Sequence, residues 1–400
     1  MTNIVIVGGG FAGVWAALGA ARQIDEHAAA IDVLLISRDR YLTIRPRLYE
    51  ADPRSLRVPL HTTLDPVGVS LVEGVVETID PTRQTVTLGN SQGQHEEHAY
   101  ERLILAAGSR QKALPVSGAT DFTWNIDSYA GAAALDDHLH DVVRHTGATG
   151  NDTIVVIGGG FAGIELATEL RDRLASLGNS DIAAAMRIVI VEQADAIGPE
   201  LGPGPRADIQ RALQSQHIEV LIGTRVDGVR EHCVVLSDGR EIETTTAVVT
   251  AGLEASPLTA QFDVELDAMG RLPVDDTLRV VGVPGVFAAG DVAHAYVDDA
   301  HLAMMSCQHA MPMGRYAGHN AAREILGLPL GSYRQSDYVT CLDLGAAGAV
   351  FTTGWERTVK LRGDAAKERK RGINTEWIYP PTGDKNTILA MADIARRSPR

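Results

Sequence analysis

The hexapeptide Gly-Gly-Gly-Phe-Ala-Gly occurs twice in this 400-residue chain, at positions 8–13 and again at positions 158–163. Each copy follows an apolar run, Ile4-Val5-Ile6-Val7 and Ile154-Val155-Val156-Ile157, and each leads into an Ala-rich helical pattern. The spacing is G-x-G-x-x-G. Such glycines permit a tight strand-to-helix turn and a close backbone approach to pyrophosphate, whose charge the helix N-terminus favours. The candidate contacts are Gly8, Gly10, Phe11, Ala12 and Gly13 for one nucleotide, and Gly158, Gly160, Phe161, Ala162 and Gly163 for another. Two copies in matching context predict two nucleotide sites in one chain. The simplest pair is a bound flavin and a nicotinamide donor.

The pattern around the turns extends the repeat. Residues 1–40 read as strand, turn, long helix and strand, a βαβ half-unit. The ending Leu105-Ala106-Ala107-Gly108 is echoed by Val249-Thr250-Ala251-Gly252. The reading is an α/β fold with two Rossmann-like dinucleotide-binding domains, the second inserted in the first, and a smaller C-terminal α+β region. The predicted limits are 1–115 and 256–328 for the flavin domain, 116–255 for the nicotinamide domain, and 329–400 for the C-terminal region. Within this frame Val69 to Leu88 reads as a β-hairpin turning at Asp80-Pro81. Helices are predicted over Tyr129–Val143, residues 301–326 and Thr387–Arg397.

Composition excludes several classes. With 45% hydrophobic and 22% charged residues the chain is globular rather than disordered. A net charge of −15 argues against nucleic acid, which needs a clustered basic surface. Cys233, Cys307 and Cys341 are far apart and lack C-x-x-C spacing, against a disulfide framework, a zinc site or a paired-thiol redox centre. No H-E-x-x-H pattern occurs, and no metal is assigned. The N-terminus lacks a basic n-region, and no apolar run reaches transmembrane length. The expected location is the cytoplasm.

Particular residues then carry chemistry. A Rossmann unit places an acid at the end of its second strand to bond ribose hydroxyls. In the second copy this is Glu192, whose carboxylate would repel a 2′-phosphate, so NADH is expected over NADPH. In the first copy the position is Ser37, followed by Arg38 and Asp39, a weaker ribose contact. Glu165 lies two residues past Gly163, with Glu169 one turn on. Glu165 is read as the residue that contacts the nicotinamide carboxamide. Gly290-Asp291 is read as opening a helical stretch that Asp291 caps while it bonds flavin ribityl hydroxyls.

With these residues in hand, the chain resembles the two-dinucleotide-binding flavoprotein reductases, and among them the type II NADH dehydrogenases (NADH:quinone oxidoreductases). The resemblance rests on both glycine turns, Arg45-Pro46-Arg47-Leu48-Tyr49-Glu50, Leu103-Ile104-Leu105-Ala106-Ala107-Gly108, Thr250-Ala251-Gly252 and Phe287-Ala288-Ala289-Gly290-Asp291, and covers about residues 1–325. It implies non-covalent FAD on the first unit and NADH on the second. It implies FAD contacts at Ser37, Arg38, Arg45, Pro46, Val76, Ala107, Gly108, Gly290, Asp291 and Gln308, and NAD contacts at Glu165, Glu192, Ala251 and Gly252. Glu165 and Gln308 are the implied catalytic pair, and a quinone-like small molecule the implied acceptor. The family's A-Q-x-A-x-Q-Q-G run here reads Cys307-Gln308-His309-Ala310-Met311-Pro312-Met313-Gly314, so Pro312 and Met313 replace glutamines. Sulfide:quinone reductases share the scaffold but rely on cysteines in the first half, and the first 232 residues here have none.

The C-terminal stretch is a candidate for a homodimer interface. The tail helix, with Ile388, Leu389, Met391 and Ile394 on one face, is a candidate for peripheral contact with the inner face of a membrane. Two other readings stand beside the dehydrogenase. One is a soluble NAD(P)H-dependent flavoprotein reductase or oxidase of a specialised pathway. The other is a flavin- and NAD-binding regulatory protein of apoptosis-inducing-factor type.

Overall fold

The computed structural model describes residues 3–89, 95–177, 180–335 and 337–396. The chain begins with β1 (Asn3–Val7), α1 (Phe11–Glu26), β2 (Asp32–Ser37), β3 (Ser70–Glu73) and β4 (Arg102–Leu105). Next come β5 (Trp124–Asn125), α2 (Tyr129–Arg144), β6 (Thr153–Ile157), α3 (Phe161–Leu177), β7 (Arg187–Val191), β8 (Ile218–Leu221) and β9 (Thr246–Val249). β10 (Val286–Ala288) and α4 (Cys307–Ile325) follow. The last elements are β11 (Val339–Asp343), β12 (Ala349–Thr353), β13 (Thr358–Arg362), α5 (Gly363–Gly372) and α6 (Lys385–Met391).

Two five-stranded parallel sheets share one plan. The first runs β10-β4-β1-β2-β3. The second runs β5-β9-β6-β7-β8. In each, the strand that leads into the glycine turn is central. These strands are apolar at successive positions, without alternation, because both faces of each sheet are covered; Ile4 to Ile6 and Ile154 to Val156 are fully buried. In the second sheet, Ile154 and Val156 pack with Ile164 and Leu166 of α3, and Val155 packs on the other face with Val234 and Leu236 of an antiparallel ribbon. The outer strand β10 joins the first sheet only after the second sheet is complete, which is what an inserted unit requires. Ser109–Gln111 and Leu253–Ala255 pair antiparallel where the chain crosses between the two.

Helix α4 lies directly on α1 through small residues. A Cβ added to Gly318 would sit 1.9 Å from the Ala16 carbonyl oxygen, so only glycine allows this approach. The same packing sets the first turns of α4 beside Ala12 and Gly290.

Four local expectations are corrected. Residues Ser70–Glu73 pair in parallel with β2 rather than in a hairpin. The antiparallel ribbon is Val75–Asp80 with Thr85–Gly89, joined by a third strand, His95–Ala99. A short apolar run has the same periodicity whichever partner it finds. Helix α4 starts at Cys307, because Tyr296 and Leu302 bridge as extended chain. Gly290-Asp291 opens a single 3₁₀ turn that returns to extended chain at Ala293, so Asp291 caps no helix. Finally, α6 ends at Met391, and Arg397 lies outside the described residues.

The start of α6 is capped by the Asp384 carboxylate, which accepts the Thr387 N–H at 2.8 Å. Its Ile388 and Leu389 are buried in the first unit's core. Arg22 donates to the Leu389 carbonyl and Arg315 to that of Asp393. The apolar face is thus spent on the body of the protein. Among the described residues, no helix is long and apolar enough to cross a membrane.

Candidate functional site

The first turn opens at the C-terminal ends of β1, β2, β4 and β10, where open α/β sheets take their ligands. A Cβ on Gly13 would lie 1.7 Å from the Gly8 carbonyl oxygen. Helix α1 has Gly10 as its N-cap and no side chain capping it. Among the described residues, nothing lies within 4 Å of a Cβ built on Gly10. The uncapped first N–H groups of α1 and this open approach fit a diphosphate. Ser37 ends β2 with its hydroxyl packed over Gly9, and Arg38 beside it is exposed.

Around the same rim, Ala107 and Gly108 follow β4, and Gly290 and Asp291 follow β10. Arg45 and Pro46 form a single 3₁₀ turn. Arg45 donates to the Ser109 hydroxyl at 2.9 Å and to Asp127. The Ser109 hydroxyl donates to Asp291 at 2.6 Å, and burial raises the Asp291 pKa. Val76 is buried in the antiparallel ribbon opposite Leu88.

The second turn repeats the backbone with different side chains. A Cβ on Gly163 would lie 2.0 Å from the Gly158 carbonyl oxygen. Glu192, buried one residue past β7, accepts the Gly159 N–H at 2.7 Å and the Ala194 N–H at 2.8 Å. This holds the acid beneath the turn at the ribose position of a Rossmann unit. Ala251 and Gly252 follow β9. Phe161 and Ala162 start α3, and the Phe161 N–H is taken by Glu200 at 2.5 Å.

Between the turns the C-terminal region contributes groups that sequence reasoning missed. Glu165 is buried, and its Oε1 accepts from Lys370 Nζ at 2.8 Å and from the Asp343 N–H at 2.9 Å. Burial pushes the Glu165 carboxyl up to about 7, against the opposing pull of Lys370. Lys370 is equally buried, yet the charge of Glu165 keeps its ammonium pKa above the ordinary value. Glu169 is pushed up to about 7 as well, first by burial and then by Asp343. Lys367 pairs with Asp343 at 2.5 Å, and the Tyr49 hydroxyl donates to Asp343 at 3.3 Å. The result is a buried chain of acids and ammonium groups reaching from Glu165 toward the surface at Lys367. Lys370 sits in the run Lys367-Glu368-Arg369-Lys370-Arg371, which reads as a solvated helix face; only its packing reveals it.

Gln308, at the start of α4, is pinned to β11. Its amide donates to the Val339 carbonyl at 2.9 Å and accepts the Val339 N–H at 3.1 Å. Next to it, His309 is fully buried, with both ring nitrogens lacking a hydrogen-bond partner, and burial pushes its pKa down to about 4. It stacks with Tyr338 and Trp355. Burial also pushes the Cys307 thiol up to about 11, which keeps it protonated and poorly nucleophilic. Among the described residues, no group of three or more His, Cys, Asp or Glu side chains is placed to hold a metal ion.

Comparison with known proteins agrees with this geometry. The model of the pyridine nucleotide-disulphide oxidoreductase family matches residues 2–314. The chain is 43% identical to the NADH dehydrogenase-like protein Rv1812c of Mycobacterium tuberculosis, across 100% of both chains. It is 27% identical to the demethylphylloquinone reductase NdbB of Synechocystis, over 96% of this chain and 97% of that one. Among solved structures, NDH2 from Plasmodium falciparum in complex with NADH has the same fold, with a TM-score of 0.80 at 13% identity, covering 98% of this chain and 97% of that chain.

Proposed function

Because the chain belongs to the pyridine nucleotide-disulphide oxidoreductases, we propose that it is an FAD-dependent NADH dehydrogenase that passes electrons to a quinone-class acceptor. The observation that carries this reading is the pair of glycine turns at equivalent places in two sheets, in which the strand before the turn, the two strands on one side of it and its neighbour on the other follow the same order. Bound FAD supplies a two-electron carrier that accepts hydride from NADH and is reoxidised by the acceptor.

The chain's own residues supply position and electrostatics. The uncapped start of α1, with Gly8 to Gly13, would hold the FAD diphosphate. Ser37 would meet the adenosine ribose, and Arg45, Ser109 and Asp291, which hydrogen-bond to one another, would face the ribityl side. Glu192 would accept hydrogen bonds from the NADH ribose and repel a 2′-phosphate. Glu165 is the inner end of the buried chain of acids and ammonium groups that reaches the surface at Lys367. Its carboxyl, near neutrality, and Lys370 Nζ can hold protons that reduction of a quinone consumes. Gln308 is a positioning residue that ties the start of α4 to β11.

The test is an anaerobic absorbance titration of the purified, FAD-loaded protein. One equivalent of NADH is expected to bleach the flavin rapidly, and NADPH at least about tenfold more slowly, the discrimination an acid at the ribose provides. A quinone should then restore the colour. A flavin that neither nucleotide bleaches would sink the dehydrogenase reading.

A further inference from the structure

The two glycine turns share their sequence and backbone, yet differ in what lies over them. The space above Gly10 is open, whereas a Cβ on Gly160 would meet Oε1 of Glu200 at 2.6 Å. That oxygen is the one that accepts the Phe161 N–H. Phe161 opens α3, so its N–H is among the donors a helix leaves unpaired, at the end carrying partial positive charge. A carboxylate is therefore seated where a dinucleotide's diphosphate would sit.

Glu200 belongs to the 3₁₀ turn Pro199–Leu201, and its backbone is held on two sides. The Gly198 N–H donates to the Gly159 carbonyl at 2.8 Å. Arg357, from the turn between β12 and β13, donates to the Glu200 carbonyl at 3.3 Å. Arg357 is itself buried, with its guanidinium over the Tyr338 ring. The Glu200 side chain, by contrast, is exposed. Its carboxylate can leave the helix end by rotating about its own bonds while the backbone stays in place.

We propose that Glu200 is a built-in competitor for the NADH diphosphate: it occupies the start of α3 in the nucleotide-free protein and must swing out for NADH to bind. The proposal rests on the reading that the second glycine turn takes NADH. A carboxylate and a diphosphate repel each other and need the same N–H donors, so the residue weakens nucleotide binding and returns as the nucleotide departs. Among the described residues the first turn carries no such group, and it would keep its dinucleotide.

The experiment is calorimetric titration of the FAD-loaded protein with ADP-ribose, which carries the diphosphate, and with adenosine, which does not. In Glu200→Gln and Glu200→Ala, ADP-ribose is expected to bind about 3- to 10-fold more tightly, the scale of a charge at a helix terminus. Adenosine should be unchanged. Unchanged or weaker ADP-ribose binding in both variants overturns the proposal, and so does equal tightening of adenosine. Glu192→Ala separates this from the site assignment. If it weakens both ligands while the Glu200 variants do nothing, only the competitor idea fails. If it alters neither ligand, the second turn is not the nucleotide site and both ideas fall.

Discussion

Valine at position 163 should abolish reduction of the flavin by NADH while leaving FAD bound. A Cβ there would stand 2.0 Å from the Gly158 carbonyl oxygen and 2.7 Å from the Thr250 hydroxyl. The turn must open, and the N–H groups at the start of α3 lose their aim. We expect the rate of NADH-dependent bleaching at fixed NADH to fall by at least about 100-fold, equivalent to roughly 3 kcal/mol. Flavin content per chain should match the parent. Gly13→Val is the mirror experiment, since its Cβ would lie 1.7 Å from the Gly8 carbonyl oxygen. That variant should purify without flavin yet still bind ADP-ribose. If Gly163→Val were bleached at the parental rate, the assignment of NADH to the second unit would be wrong.

The second large effect is expected from Lys370→Met. The ammonium is the only cation hydrogen-bonded to Glu165 among the described residues, and both side chains are nearly inaccessible. Removing one partner leaves a buried charge uncompensated, which destabilises a protein by about 3–5 kcal/mol. The pH dependence has a definite sign. The folded-state pKa of Glu165, about 7, lies above its ordinary 4.5. Its contribution to stability is therefore full below 4.5 and is lost as pH rises through about 7. Without Lys370 that pKa moves higher still. The denaturant midpoint of Lys370→Met should fall far below the parent's above about pH 8 and approach it below about pH 6. Adding Glu165→Gln should recover most of the loss, because no charge is then stranded. A loss independent of pH, or not relieved by the second change, would show that Lys370 acts through packing alone.

Much of the architecture was legible because it is written locally. Ile4 to Val7 and Ile154 to Ile157 are uninterrupted apolar runs, as strands buried on both faces require. Each ends in a turn whose last glycine is demanded by a contact five residues back, Gly13 against Gly8 and Gly163 against Gly158. The place of Glu192, one residue past β7 and under the turn, was legible the same way, since it is counted along one βαβ unit. The insertion of one unit in the other was legible from the echo of Ala106-Ala107-Gly108 in Thr250-Ala251-Gly252.

What could not be read lies between distant segments. Ser70–Glu73 and the hairpin strands share one periodicity but have different partners, and period alone does not name a partner. Glu200 sits in a loop of Gly and Pro that carries no motif, and becomes notable only because Gly198 and Arg357 hold it against α3. Lys370 looks like one more solvated cation until α5 packs it onto Glu165, 205 residues earlier. The sequence by itself determined the two nucleotide-binding units, because backbone conformation and hydrophobic period are set by near neighbours. Only the tertiary structure decided which charges meet where the C-terminal region packs on the second unit, because that depends on how whole elements pack, and a buried ion pair leaves no periodic trace in the chain.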